Sequence, residues 1–159
     1  MKDLIDRVNK WGIERGLTNA HAQILKACSE WGELCDAVLK RDDAGIRDAI
    51  GDIAVCLINY ARCADMSQTA IEAVQFPSLV NLGCHILGVL WFEENPHNHA
   101  WTEGRNIIAA DHIRAALFNL QAVAGQHGTT LRDCLAGSLD IIEKRAGVTT
   151  ADGVFIKSE

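Results

Sequence analysis

The chain has 159 residues, of which 48% are apolar and 23% charged. This length suits one domain, and the composition excludes a disordered, collagen-like or low-complexity chain. The formal net charge of −6 argues against non-specific nucleic-acid binding, which needs a basic surface. Residues 1–17 lack the apolar core of a secretory signal, and the longest apolar run, 86–92, is far shorter than the roughly 20 residues of a membrane span. We therefore expect a cytoplasmic protein whose partners include neither nucleic acid nor membrane.

Six cysteines, at positions 28, 35, 56, 63, 84 and 134, include no Cys-x-x-Cys pair. Two pairs are spaced by seven residues, which in a helix is two turns and about 10 Å, too far for a disulfide within a pair. A zinc or redox site is one interpretation of this spacing. Reduced thiols packed in a cytoplasmic core are the other, which we favour.

Helical periodicity dominates the first part of the chain, where β-like alternation is nearly absent. A first helix is predicted to end near Gly16, from apolar residues on one helix face at positions 4, 5, 8 and 11. Thr18 or Asn19 is suited to cap a second helix that runs to about residue 40. The short polar turn 41–45 leads into a third helix over about 43–64, which we expect to return antiparallel to the second.

The middle of the chain is interrupted by its two prolines. Ser67 or Thr69 is a candidate cap for a short helix that ends before Pro77. Ser78 is placed to open the next helix, which we predict to run through residue 92. Residues 93–104 are expected to form the one long loop.

The last part of the chain again has helical spacing. One helix is predicted over 106–125, and Thr129 or Thr130 is a candidate cap for another. This last helix is predicted to end at Gly147. The tail, 147–159, is expected to be irregular, with a short extended piece at 154–156. The whole pattern predicts an all-α bundle in one domain, 1–159, that contains an antiparallel helix hairpin.

Four carboxylates lie on the predicted hairpin, in apolar surroundings. Glu30 and Glu33 are spaced i, i+3 on the second helix, and Asp48 and Asp52 are spaced i, i+4 on the third. Each pair therefore shares a helix face, and the short turn sets the two helices side by side. Acids gathered in a partly dry groove repel one another unless a cation lies between them. Ligands that offer only oxygen favour Mg²⁺ or Mn²⁺ over zinc.

Solvated faces of two amphipathic helices are the other interpretation of the same acids. Lys26 lies four residues before Glu30, a spacing at which an ordinary surface ion pair forms. Spacing alone does not separate this interpretation from a metal site, because acid pairs at helical spacing are common in soluble helices.

Several short motifs lie on both sides of the turn at 41–45 and near both ends of the chain. Together they form a recognisable pattern. The residues of the hairpin are Gln23, Lys26, Glu30, Glu33 and Leu34, then Asp48-Ala49-Ile50-Gly51-Asp52-Ile53. Those near the ends are Trp11 with Glu14-Arg15-Gly16-Leu17, and Ile142-Glu143-Lys144-Arg145 with Gly153-Val154-Phe155-Ile156-Lys157. Together they resemble the MazG-like all-α nucleoside triphosphate pyrophosphohydrolases of bacteria and phages. The resemblance is clearest in 11–59 and 131–157.

The family pattern, E-E-x-x-E followed by E-x-x-D, is incomplete in this chain. Ser29 stands at the first Glu of the first motif, and Ala49 at the Glu of the second. Asp48 is four residues before Asp52, so it is a candidate for the missing carboxylate one position early. The resemblance thus implies a metal set of Glu30, Glu33, Asp48 and Asp52.

The activity that the resemblance implies is cleavage of a nucleoside triphosphate between its α and β phosphates. The products are the monophosphate and pyrophosphate, which suits housekeeping of nucleotide pools. The implied cofactor is Mg²⁺, with Mn²⁺ as a substitute, bound by the four acids. Glu30 and Glu33 are also the catalytic candidates, and Glu33 is the first choice for the base that takes the proton of the attacking water.

Substrate contacts are expected from a few further residues. The cations Lys26, Arg145 and Lys157 are candidates for the phosphates, and Lys157 belongs to a tail that we expect to fold over a neighbouring active site. Solvated charges are the competing interpretation, which we prefer for Lys144. Asn59, two helical turns after Asp52, is a candidate substrate contact or a buried structural residue.

Aromatic and histidine residues need separate treatment. Trp11 and Trp31 are candidates to stack a base, although core packing explains such residues more often. The tripeptide at 97–99, His-Asn-His, has neither the flanking strands nor the basic surface of a nuclease. No clustering is expected among the other histidines, at positions 21, 85, 112 and 127.

Two hypotheses of different classes follow. The first is a metal-dependent nucleoside triphosphate pyrophosphohydrolase, for which the resemblance implies a homodimer or homotetramer. The second is a catalytically inactive helical module that binds nucleotides or mediates assembly, which the departures at Ser29 and Ala49 keep open.

Overall fold

The computed structural model describes residues 1–66, 79–95 and 105–158, with side chains from residue 107 onward in the last range. These parts form six helices followed by a two-stranded hairpin. The elements are α1 (Lys2–Glu14), α2 (Ala20–Lys40), α3 (Asp43–Cys63), α4 (Leu79–Glu94), α5 (Arg105–Gln126), α6 (Leu131–Ile142), β1 (Gly147–Thr149) and β2 (Phe155–Lys157). The predicted all-α class is confirmed for the described residues, with the small hairpin as an addition.

Helix α3 lies at the centre of the bundle because its sequence is apolar on nearly every side. Apart from Asp52, every residue from 49 to 61 is buried. Helices α1, α2, α5 and α6 pack around α3, and α4 packs on α2 and α5. A helix that is apolar all round needs such complete cover. None of the described helices is both long and apolar enough to cross a membrane.

The predicted starts of α2, α3 and α6 are confirmed, and the structure decides between the candidate caps of α2 and α6. Asn19 caps α2, with its side chain accepting from the Ala22 backbone N–H at 2.9 Å. Thr130 caps α6, with its hydroxyl accepting from the Asp133 N–H at 3.1 Å. Such caps satisfy backbone donors that the first turn of a helix leaves free.

The turn between α2 and α3 is tight for a clear local reason. Arg41 ends α2 in the left-handed conformation, at φ 57°. Asp42 then caps α3 by accepting from the backbone N–H groups of Ala44 and Gly45. Two consecutive residues therefore stop one helix and start the next, which gives the antiparallel hairpin that the sequence predicts.

Helix α4 extends two residues into the predicted loop, to Glu94. The Tyr60 hydroxyl donates to Glu93 at 2.7 Å, and His21 contacts Glu94 at 2.7 Å. These bonds tie the end of α4 to α3 and α2. Residues 96–104 of the predicted loop, with the His-Asn-His tripeptide, lie outside the described residues, as do Ser78 and the short helix predicted before Pro77.

The predicted end of the last helix is wrong, and the tail is more regular than expected. Helix α6 ends at Ile142 instead of residue 147, and Gly147 pairs with Lys157 in an antiparallel hairpin. The Arg145 carbonyl accepts from the Arg15 guanidinium at 2.7 Å, so this backbone group has a partner on the N-terminal segment. Helical periodicity does not reveal such a distant partner.

The expectation that the remaining histidines do not cluster is also wrong for one pair. His85 on α4 and His112 on α5 approach to 3.1 Å between their Nδ1 atoms. Burial lowers the pKa of both rings, which favours two neutral imidazoles, with the Nδ1–H of one donating to the Nδ1 of the other. All six cysteines are free.

Helices α3 and α6 approach closely at Gly51. A Cβ at this position would lie 2.2 Å from the Ser138 Oγ and 2.4 Å from the Cys134 carbonyl oxygen. Only glycine fits this contact, because any Cβ would collide with the Cys134 carbonyl of the α6 backbone. A helix backbone cannot shift aside in the way that the end of a flexible side chain can. The approach places Asp52, the next residue, beside α6.

We expect Gly51→Ala to destabilise the fold by about 1–3 kcal/mol, the usual effect of overpacking a tight contact. Gly137→Ala on α6 is the matched control, because a Cβ there meets nothing within 4 Å. That control should gain about 0.5–1 kcal/mol of stability, because glycine disfavours helix interiors. Urea denaturation of both variants measures the difference, and equal stabilities would contradict the close approach.

Candidate functional site

The α2–α3 hairpin positions the four acids, but they are not buried alike. Glu30 on α2 is 4% exposed, and the Asp52 side chain on α3 is 14% exposed. Glu33 and Asp48 are exposed. Each helix therefore contributes one sheltered and one exposed carboxylate.

Glu30 and Asp52 line one cavity of about 440 Å³ between α2, α3, the end of α6 and the C-terminal β-hairpin. Lys26 and Arg145 line the same cavity and pair with these acids: Lys26 contacts Glu30, and Arg145 lies 3.8 Å from Asp52. The ion pair that the sequence left open between Lys26 and Glu30 is therefore present. It lies at the edge of the cavity, since the Lys26 side chain is 55% exposed.

Glu33 and Asp48 line a second cavity, of about 430 Å³. Asp36, Asp42 and Lys40 lie on it as well, and Ser29 borders both cavities. The four acids are thus divided between two adjoining cavities. Within the described ranges, no group of three or more His, Cys, Asp or Glu side chains is close enough to hold a metal ion.

Burial controls the electrostatics of both sheltered acids. It raises the pKa of Glu30, which the Lys26 ammonium only partly offsets, and the charges of Asp52 and Glu33 raise it further. Burial also raises the pKa of Asp52, against hydrogen bonding from Ser138 and the charge of Arg145. The negative charge of Asp48 adds to the rise for Asp52.

One oxygen of the Asp52 carboxylate, Oδ1, is buried and has no hydrogen-bond partner among the described residues. An unsatisfied buried carboxylate oxygen is costly in a protein interior. Its neighbour across the cavity, Glu30, is another oxygen donor whose charge is poorly compensated. Both groups offer oxygen only, the ligand type that Mg²⁺ and Mn²⁺ prefer.

Three sequence-predicted substrate contacts lie away from the cavity. Asn59 is fully buried; its Nδ2 donates to the Val55 carbonyl at 3.1 Å and its Oδ1 accepts from Arg62 at 3.1 Å. Lys157 is exposed on β2. Trp31 packs against Gly83 of α4, where a Cβ would lie 2.2 Å from its ring.

Trp11 does line the cavity, together with Leu17, Val154 and Phe155. Its Nε1 is buried without a hydrogen-bond partner among the described residues. Phe155 meets Trp11 edge-on, with ring centroids 6.1 Å apart. The cavity is therefore lined by both charged and aromatic side chains.

Sequence reasoning missed two contributors, Phe155 and Ser138, as site residues. Phe155 belongs to the predicted extended piece 154–156, in a tail that we expect over a neighbouring active site, yet it lines the cavity of its own chain. No local signal marked Ser138, since the α3–α6 contact that brings it to Asp52 joins residues far apart in sequence.

Comparisons with known proteins give little further information. No protein-family model matches the chain, and no solved structure matches it. A segment of 65 residues is 32% identical to an uncharacterized 18.2 kDa protein from the rep-hol intergenic region of Haemophilus phage HP1. The match spans 39% of this chain and 40% of the phage protein, and the phage protein's name states no activity.

We expect Glu30→Gln to stabilise the metal-free protein at neutral pH. Because the pKa of Glu30 is higher in the folded than in the unfolded chain, folding becomes less favourable as the pH rises from the usual carboxyl range through the raised pKa. Glutamine removes this penalty, so the gain in Tm should be larger at pH 8 than at pH 5. Thermal denaturation in EDTA measures it.

Glu33→Gln is the control for this experiment, since Glu33 lies on the same helix but is exposed. It should leave Tm nearly unchanged at both pH values. A Glu30→Gln variant that is equally stabilised at both pH values, or destabilised at pH 8, would contradict the burial of a charged Glu30.

Proposed function

We propose that the chain is a cytoplasmic, Mg²⁺-dependent nucleoside triphosphate pyrophosphohydrolase of the MazG-like type, with a role in nucleotide-pool housekeeping. It converts a (d)NTP and water to the (d)NMP and pyrophosphate. The observation that carries the proposal is the mixed lining of one cavity. Two sheltered carboxylates, two cationic side chains and two aromatic rings line it together.

These side chains suit the two parts of a nucleotide. A triphosphate requires positive charge, which this acidic chain supplies locally through Lys26, Arg145 and a bound cation. A base requires an apolar or aromatic wall. Trp11 and Phe155 offer such a wall, since both line the cavity.

Glu30 and Asp52 are the residues that would hold Mg²⁺, or Mn²⁺ in its place. Glu33 and Asp48 in the adjoining cavity are the further candidates for a metal set. When bound, the cation neutralises charge on the triphosphate and makes the attacking water more acidic. The unpartnered Oδ1 of Asp52 supports this assignment.

The side chains of the cavity then divide the remaining tasks. Lys26 and Arg145 turn from their carboxylates toward the phosphates, where they stabilise the charge that develops on pyrophosphate. Glu30 is better placed than Glu33 to accept the proton of the attacking water, because Glu30 lines the same cavity as Lys26 and Arg145. Glu33 lines the adjoining cavity.

A catalytically inactive nucleotide-binding or assembly module is the second candidate. The division of the acids between two cavities favours it, together with Ser29 and Ala49 at family Glu positions. Under either function we propose a homodimer or homotetramer, as the resemblance implies.

The decisive assay measures pyrophosphate release from a panel of (d)NTPs with Mg²⁺ and again with EDTA. We expect turnover that EDTA abolishes. Glu30→Gln and Asp52→Asn should each reduce kcat by more than the roughly 10–100-fold that loss of an outer partner of a metal ligand costs. Asp140→Asn, which removes only a surface ion pair with Arg7, is the control. Nucleotide-dependent thermal shifts without turnover would favour the inactive module.

Arg145→Ala should raise KM for the nucleotide about 10-fold or more, because a charge-assisted hydrogen bond to phosphate contributes about 1.5–3 kcal/mol. The neighbouring Lys144→Ala is the control, since Lys144 is exposed and does not line the cavity. Steady-state kinetics distinguish the two variants. Equal effects would show that only the general charge of this segment matters.

A further inference from the structure

We propose that the C-terminal β-hairpin is the specificity element of the cavity, with Phe155 contacting the base of the bound nucleotide. The hairpin thereby selects nucleotides over inorganic polyphosphate. The inference rests on the proposed function for the identity of the ligand, and it assigns to Phe155 a role that the sequence did not suggest.

The hairpin is fixed to the rest of the chain by a set of polar contacts around Arg15. The Thr149 hydroxyl donates to the Arg15 carbonyl, and the Arg15 guanidinium donates to the Arg145 carbonyl at 2.7 Å. The Thr18 N–H donates to the Gly153 carbonyl at 3.4 Å. These contacts attach the C-terminal β-hairpin to the turn between α1 and α2.

Gly153 permits this close attachment. It has φ +79°, and a Cβ there would lie 2.0 Å from the Thr18 Oγ1. A larger residue would both strain the backbone and push the hairpin away from the turn. The turn of the hairpin thus brings Val154 and Phe155 to the cavity.

The Phe155 ring is held in one orientation by two neighbours. The Arg15 guanidinium carbon lies 5.2 Å from the centre of the ring, and the Trp11 ring meets it at 68°. Cation–π and edge-to-face contacts of this kind are favourable and directional. A ring fixed in this way contacts a base at little further cost in side-chain entropy.

The charged and aromatic side chains of the cavity suit different parts of the ligand. A triphosphate without a base can use Lys26, Arg145 and a cation, but it has no group for Phe155. Loss of the ring should therefore weaken only ligands that carry a base. Base–aromatic stacking contributes about 1–3 kcal/mol, which corresponds to roughly 5–150-fold in affinity.

Strand alternation supplies a matched control beside Phe155. Ile156 is the next residue of β2, is 53% exposed, and does not line the cavity. Truncation at either position removes apolar atoms from the same strand. Only the truncation at Phe155 removes them from the cavity.

The test is calorimetric binding, with Mg²⁺ present, of α,β-methylene (d)NTP analogues and of inorganic tripolyphosphate. Phe155→Ala should bind the analogues about 10–100-fold more weakly than wild type and bind tripolyphosphate equally well. Ile156→Ala should match wild type for both ligands. Phe155→Leu, which keeps the apolar wall without an aromatic face, should also lose affinity for the analogues alone.

Opposite results overturn the proposal. Equal weakening of both ligands in Phe155→Ala, with an unaffected Phe155→Leu, would mean that the ring only supports the fold of the hairpin. Unchanged analogue binding in Phe155→Ala would mean that the base lies elsewhere. The proposed function fails separately, if the wild type binds the analogues in a Phe155-dependent way but releases no pyrophosphate from any (d)NTP. A wild type that binds neither ligand would overturn both.

Discussion

The burial of Asp52 in the central helix is the constraint around which the site is built. Between residues 49 and 61 of α3, Asp52 is the one residue that is not fully buried; its carboxylate lines the cavity, and desolvation raises its pKa. Ser138 and Arg145 lessen that cost, and Gly51 allows α6 to come near enough to bring them. One oxygen of Asp52 still has no partner among the described residues. A sheltered carboxylate of this kind is weak evidence for stability, and the proposed function assigns it to ligand binding.

The cavity beside Asp52 joins three parts of the chain that are distant in sequence. The α2–α3 hairpin supplies the acids and Lys26, the segment after α6 supplies Arg145, and the C-terminal hairpin supplies the aromatic wall. Arg15 connects the last two, because it contacts both the Arg145 carbonyl and the Phe155 ring.

Much of the fold, and the location of part of the site, could be predicted from local sequence. The caps at Asn19 and Thr130 and the tight turn at 41–45 depend on residues within a few positions of each other, and the structure confirms all three. The same local spacing put Glu30 and Asp52 on adjoining helices. It did not predict that Glu33 and Asp48 would line a separate cavity, because the exposure of a helix face depends on which neighbours cover it.

By itself, the sequence determined the helical class, the hairpin and the presence of acids on it, since helix periodicity and capping act over three or four residues. The tertiary structure alone decided which acids are sheltered, and that the tail lies on its own chain with Phe155 in the cavity. It also decided that His85 meets His112. Each of these depends on contacts between segments many residues apart, such as the approach of α6 to Gly51 and the attachment of Gly153 beside Thr18. Packing of the whole bundle selects such contacts, and no local pattern encodes them.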